Sequence, residues 1–179
     1  MNQTKRTTQI LMISLIILIT SCNFGNSSNE NSKKLLGTWS RNFVMNIPSE
    51  GEGISKSGGY TITTDYSYIF NENGEGKKID KTITSWELEK NLNSSYTIEY
   101  PFKWTLDKIG DKESIISEFG TGTIINVEGS NKIDQETHIN QIMSMTNGKK
   151  DTMYLSAINE MKLSYKVPGS EETYEYLKK

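Results

Sequence analysis

From Leu35 onward, apolar side chains recur at alternate positions in short runs, and turn-forming residues separate those runs at near-regular spacing. Period two is the signature of a strand with one buried face. In 60–70 the even positions are Tyr60, Ile62, Thr64, Tyr66, Tyr68 and Phe70, and the odd positions are mostly polar. The alternation is cleaner in 96–107, where Tyr96, Ile98, Tyr100, Phe102, Trp104 and Leu106 interleave with Thr97, Glu99, Pro101, Lys103, Thr105 and Asp107. Pro101 falls on the outward face and has no N–H to give a ladder, so this strand is expected at an edge or at a bulge. Trp39, Phe43, Met45 and Ile47 share parity in a first strand that Pro48 ends, and the Gly-rich stretch 49–59 reads as a long loop.

The stretch 71–76, Asn-Glu-Asn-Gly-Glu-Gly, is a hairpin connection by composition, since Asn and Gly adopt the positive φ of tight turns. Beyond it Ile79 and Ile83 lie on one face and Trp86 and Leu88 on the other, which calls for a bulge or for a helical turn over 86–92. Shorter strands are expected at 115–119 and 124–127, at 139–145 and 153–157 around an Asn147-Gly148 turn, at 161–167 before Pro168-Gly169, and around Tyr174 and Tyr176. Only 32–36 suggests a helical turn. Some eight to ten sequential strands make the domain all-β. Short connections favour an up-and-down antiparallel meander, and closure into a barrel removes the edges that invite aggregation. A two-sheet β-sandwich satisfies the same alternation.

The first 34 residues follow a different pattern. Lys5 and Arg6 precede an apolar run from Ile10 to Ile19, broken only by Ser14, and Thr20-Ser21 lead to Cys22, the only cysteine. Ten residues at helical rise reach about 15 Å, roughly half a hydrocarbon core, so the run reads as a secretion signal and not a span. A lone thiol in an oxidising compartment has no disulfide partner within the chain. Ile19-Thr20-Ser21-Cys22 resembles the bacterial lipobox, and that resemblance implies that 1–21 is removed and that Cys22 becomes the acylated first residue. Several acyl chains, palmitate among them, hold far more firmly than one. The polar stretch 22–34 is expected to be a flexible tether, about 19 Å long on average as a coil. No acidic block follows Cys22, and resemblance to Bacteroidota envelope lipoproteins then favours an outer-membrane anchor facing the periplasm.

Residues 35–179 suit one domain. Twenty Lys and Arg against 22 Asp and Glu leave a net charge of −2, with no clustered basic surface for phosphate, so nucleic acid is not an expected partner. The inventory also argues against catalysis. His138 is the only histidine and reads as a solvated side chain, no thiol remains once Cys22 is acylated, and neither a G-x-S-x-G elbow nor an S-x-x-K motif occurs. His and Cys metal clusters are excluded on the same count. Counting an EF-hand from Asn71 places Gly76 correctly at the sixth position but Thr82 at the twelfth, where a Glu is needed. No cofactor is implied.

At Leu36-Gly37-Thr38-Trp39 the chain resembles the opening of lipocalin-like domains, where a helical turn leads into a first strand carrying Gly-x-Trp. The likeness continues at Tyr68-Ile69-Phe70-Asn71-Glu72-Asn73-Gly74, Phe102-Lys103-Trp104-Thr105-Leu106 and Met161-Lys162-Leu163-Ser164-Tyr165, as in bacterial lipocalin-like lipoproteins. The resemblance implies a lipocalin-like barrel, a binding module whose cavity holds a small apolar or amphipathic ligand, with Trp39 plugging one end. Inward aromatics that could line it are Tyr66, Tyr68, Tyr96, Tyr100 and Trp104, although filled small barrels use such residues simply as core. No Arg or Lys stands out to pack on Trp39, and Lys178-Lys179 reads as a solvated end. The alternative is a non-enzymatic interaction protein that docks an envelope partner through loops 49–59 and 107–112.

Overall fold

Nine antiparallel strands, eight of them in a closed ring, make up most of the computed structural model, which describes residues 26–49, 58–129 and 132–179. The signal run, Cys22 and most of the 49–59 loop lie outside the described residues. Helix α1 (Asn26–Leu35) precedes β1 (Gly37–Ile47), β2 (Tyr60–Phe70), β3 (Glu75–Trp86), β4 (Ser94–Ile109), β5 (Lys112–Phe119) and β6 (Thr123–Gly129). Helix α2 (Lys132–Thr146) follows, and then β7 (Lys150–Ile158), β8 (Lys162–Lys166) and β9 (Tyr174–Lys178). The ring runs β1-β2-β3-β4-β5-β7-β8-β9 and closes where Trp39 and Ser40 of β1 pair with Lys178 and Leu177 of β9. Closure rules out the two-sheet sandwich.

The long strand β4 organises the break in this meander. Its second half, from Phe102, pairs with β5, and its first half, up to Glu99, pairs on the same side with β6. Pro101 stands in the gap between the two ladders, where no neighbour asks for its missing N–H, and its carbonyl accepts from Gly120 at 2.8 Å. The expected edge or bulge is therefore a hand-over point inside the sheet. Gly122 is needed beside it, because a Cβ there would sit 2.6 Å from the Tyr100 ring.

Two expected elements are different. The segment 139–145, expected as a strand, is the second half of α2. Ile139 is fully buried and Ile142 and Met143 pack partly on the core, which is the i, i+3, i+4 stripe of a helix and not alternation. Asn147-Gly148 is accordingly the end of that helix and not a hairpin: the Asn147 amide donates to Met143 at 2.8 Å and Gly148 takes φ +70°. The tether expected over 22–34 is helical from Asn26 onward. Leu35 is buried in the core, a Glu30–Lys34 pair spans one turn at 2.9 Å, and the Asn31 amide reaches Glu113 at 2.7 Å, so the helix is docked on the barrel.

Strand β3 keeps an unbroken register with β2 up to Trp86, whose ring lies 4.5 Å from that of Tyr60, and a single 3-10 turn at Lys90–Leu92 follows. No bulge is needed, because Ile79 and Ile83 face outward. The inward face of β3 is polar: Lys78, Asp80, Thr82 and Thr84 stand opposite Tyr68, Tyr66, Thr64 and Ile62 of β2. One end of the barrel is packed solid with Trp39, Tyr68, Phe70, Phe102, Trp104, Phe119 and Tyr176. Phe70 meets Phe102 and Trp104 edge-on at 5.4 and 5.3 Å, the favoured aromatic geometry.

At that end Gly37 enters β1 with φ +109°, and the Lys178 Cε lies 3.1 Å from where a Cβ would stand. Lys178 places its ammonium 5.1 Å from the centre of the Trp39 ring and donates to the Lys34 carbonyl at 3.3 Å. The expected solvated chain end is thus half right. Lys179 is exposed, whereas Lys178 is the cation that Trp39 lacked in the sequence.

Candidate functional site

The other half of the barrel is not filled. Between the inward faces of β2, β3 and β4 and the side of α2 lies a cavity of about 280 Å³, near the small end of known ligand sites. The strands contribute Ile62, Thr64 and Tyr66, then Asp80, Thr82 and Thr84, then Ser94, Tyr96 and Ile98, and α2 contributes Gln135, His138 and Ile142. Alternation explains the strand set, since all nine residues are even-numbered and the registers Tyr66↔Asp80↔Ile98 and Thr64↔Thr82↔Tyr96 carry that parity across. Helical spacing explains the other three.

Of the five aromatic candidates, the fold brings Tyr66 and Tyr96 to the cavity wall. Tyr68, Tyr100 and Trp104 are buried away from this cavity, Tyr68 at the wall of a second recess, and the Trp104 indole donates to the Glu75 carbonyl at 3.1 Å. His138 is exposed, as the sequence suggested, yet it stands at the rim of the cavity. Sequence reasoning missed Asp80 and the threonines because it looked for an aromatic lining. The signal was there in the hairpin: pairing Phe70 with Gly76 forces every even residue of β3 inward.

Asp80 dominates the electrostatics. Its Oδ2 accepts from the Lys78 ammonium at 2.7 Å, a pair almost closed to solvent, while Oδ1 is buried with no hydrogen-bond partner among the described residues. Burial pushes its carboxyl above the ordinary range, and Lys78 only partly offsets that. The Lys78 ammonium also lies 5.3 Å from the ring centre of Tyr100 and 5.7 Å from that of Tyr66. Burial, followed by the charge of Asp80, pushes the Tyr100 phenol up to about 12. Thr64 and Thr82 share a hydrogen bond at 3.2 Å. Gln135 Oε1 is the second buried acceptor on this wall without a partner among the described residues.

Beyond Tyr66 and Lys78 a second interior recess of about 310 Å³ is lined by Arg41, Phe43, Tyr165 and Tyr174, with the Arg41 guanidinium 4.7 Å from the Tyr174 ring centre. A wider depression of about 490 Å³ at the Pro101 gap opens to solvent around Lys77, Lys103 and Glu118. The first cavity is the better candidate because it is less open than these two and combines apolar walls with convergent polar groups. Among the described residues no three His, Cys, Asp or Glu side chains gather as a metal site. Fold and site together define a closed eight-stranded barrel with a small internal cavity. Compared with known protein families and with curated proteins, the chain matches none.

Proposed function

We propose that this is a lipid-anchored envelope protein, non-catalytic, whose lipocalin-like barrel holds a small amphipathic molecule in the cavity beneath α2. The observation that carries the reading is that, beside a tightly packed aromatic end, the barrel keeps a partly enclosed space under α2 with both isoleucine and hydrogen-bonding walls. A barrel that needed only a core would fill that space as well. The Gly37-x-Trp39 entry, with a cation from the last strand over the indole, adds support to the lipocalin-like resemblance. Anchoring rests on the lipobox-like run ending at Cys22 and implies a protein on the periplasmic face of the outer membrane.

Two experiments test this reading. Native mass spectrometry of the full chain, purified in mild detergent from its own host, is expected to show an extra small-molecule mass that denaturation releases. Replacing Thr82 by Trp fills the cavity and is expected to abolish the adduct, and an adduct that persists in Thr82→Trp would place the ligand elsewhere. Metabolic labelling with a fatty-acid analogue is expected to mark the wild type and not Cys22→Ser; equal labelling of both would remove Cys22 as the anchor. A second reading, docking of an envelope protein through loops, draws on the exposed Ile109 at the tip of the β4–β5 hairpin. It predicts a protein free of any adduct whose partner binding survives Thr82→Trp and is lost when 107–112 is shortened.

A further inference from the structure

The recess beyond Tyr66 and Lys78 holds a charge that the fold does not answer. Arg41 shares the parity of Trp39 on β1, so its side chain turns into the barrel, and its partner across the ladder is Tyr66 of β2. It stands where the ring is loosest, because the β1–β9 ladder holds only the pairs Trp39↔Lys178 and Ser40↔Leu177 and ends before Arg41. The guanidinium lies 4.7 Å from the Tyr174 ring centre, a contact that uses none of its five N–H donors. Among the described residues no carboxylate pairs with Arg41. None of its nitrogens is a buried atom lacking a partner, so the donors keep accessible surface beside the recess that Arg41 lines. The other cation there, Lys78, is already held by Asp80 at 2.7 Å. Glu172, the one acid in the lining, is exposed and accepts from the Tyr174 hydroxyl at 3.1 Å.

We infer that this recess is a second site, separate from the cavity under α2, for a small monocarboxylic acid whose carboxylate sits on Arg41 and whose apolar body lies against Phe43 and the tyrosines of β8 and β9. The two lining sets share only Tyr66. A planar guanidinium presents paired donors that match the two oxygens of a carboxylate, and such charge-assisted pairs are the strong ones. One uncommitted cation selects one negative charge. A phosphate dianion would leave a charge unmet and bring it toward Glu172, an ammonium ion would face Arg41 with like charge, and a neutral molecule gains no charge-assisted bond. Burial raises the phenols of Tyr66, Tyr165 and Tyr176, and the Arg41 charge opposes that rise at all three, so its field reaches hydroxyls on three different strands. The apolar wall is aromatic: Tyr165 stacks on Tyr174 at 5.6 Å and on Tyr176 at 5.7 Å. A volume of about 310 Å³ equals about ten water shares of roughly 30 Å³, which suits an acid of on the order of ten non-hydrogen atoms.

The test compares 3-phenylpropionate with 3-phenylpropionamide, which share shape and differ in charge, by titration calorimetry on the full chain in non-ionic detergent at neutral pH. The acid is expected to bind about tenfold or more tightly than the amide. Arg41→Gln is expected to remove that preference, with thermal unfolding confirming that the variant is folded. Arg41→Lys, which keeps the charge and loses the fork, is expected to lower it several-fold. Thr82→Trp, which fills the other cavity, is expected to leave it unchanged. Equal binding of the two probes, no binding of the acid, or a preference that survives Arg41→Gln would overturn the inference. Loss of the preference in Thr82→Trp would also overturn it, by moving the acid to the cavity under α2. Acid binding that appears only in Glu172→Gln would do so as well, because Glu172 would then be the counter-ion of Arg41.

Discussion

The barrel is expected to unfold cooperatively as the pH is raised above about 10, with tyrosine ionisation and loss of β structure occurring together. Tyr68, Tyr165 and Tyr176 sit against one another inside the barrel, with the Tyr176 ring 5.6 Å from Tyr68 and 5.7 Å from Tyr165. Burial raises all three above the ordinary tyrosine value of 10.0; neighbouring phenols add to it at Tyr68 and Tyr176, whereas at Tyr165 the hydrogen bond to Tyr176 and the Arg41 charge offset part of it. In the unfolded chain they ionise near 10, whereas in the fold they keep their protons. The folded state thus binds more protons above that pH, and stability falls as pH rises. The contribution is complete below pH 10 and is lost progressively above it.

Each fully linked proton is worth about 1.4 kcal/mol per pH unit, so three withdraw about 4 kcal/mol per unit from a total that in domains is about 5–15 kcal/mol. Phenolate absorbance and far-ultraviolet circular dichroism, followed along one alkaline titration, check this. Coincident steep transitions are expected, and Tyr176→Phe should move the midpoint upward. Independent, gradual ionisation of all the tyrosines with β structure retained would contradict the packed aromatic layer. Asp80 has the same sign in the acid range: its raised carboxyl takes up a proton in the fold before the unfolded chain does. Its contribution therefore grows as pH falls toward the ordinary value of 3.8 and opposes acid unfolding.

Replacing Trp39 by alanine is expected to be the most damaging single change at the closed end. Trp39 is fully buried, its indole donates to the Leu35 carbonyl at 2.6 Å, and Lys178 lies over its ring. It therefore ties together the end of α1, the start of β1 and β9, which is where the ring closes. Truncating a buried Trp costs about 3–5 kcal/mol, and the Leu35 carbonyl it leaves behind adds about 1–3 kcal/mol if buried. Lys178→Ala is expected to cost less, about 0.5–2 kcal/mol, because it removes only the cation over the ring and one hydrogen bond to Lys34. Urea unfolding of the two variants beside Trp86→Ala, whose ring is only partly buried, would rank them. A Trp39→Ala midpoint no lower than that of Trp86→Ala would show that the plug does not hold the ring closed.

Those two expectations rest on parts of the molecule that differ in how far they could be read ahead. The inward parity of β2 and β4 is legible in the sequence because alternation is a local property of an extended chain: the two aromatic faces at 60–70 and 96–107 are the faces that fill the barrel. The hairpin at 71–76 is legible for the same reason, with Gly74 at φ +75° and the Asn71 amide on the Glu75 carbonyl at 2.9 Å. Local pattern failed at 139–145, where Ile139, Ile142 and Met143 fit a helix as well as a short apolar run fits a strand, and the Asn-Gly pair behind them suggested a hairpin. The stripe decides only once it is known that α2 packs beside β6 and over the cavity.

What the sequence determined by itself is the all-β character, the even-numbered inner faces, the Gly37 and Trp39 entry and the lone Cys22 after its apolar run. Tertiary structure decided which of the inward residues are core and which line a space. Tyr66, Tyr68 and Tyr100 are equivalent by alternation, yet of the three only Tyr66 reaches the cavity that α2 covers. It also decided the company of Asp80 and Lys178. Each is an unremarkable charge in the chain, and each acquires a role only when closure of the ring brings a distant strand, helix end or aromatic face within a few ångströms of it.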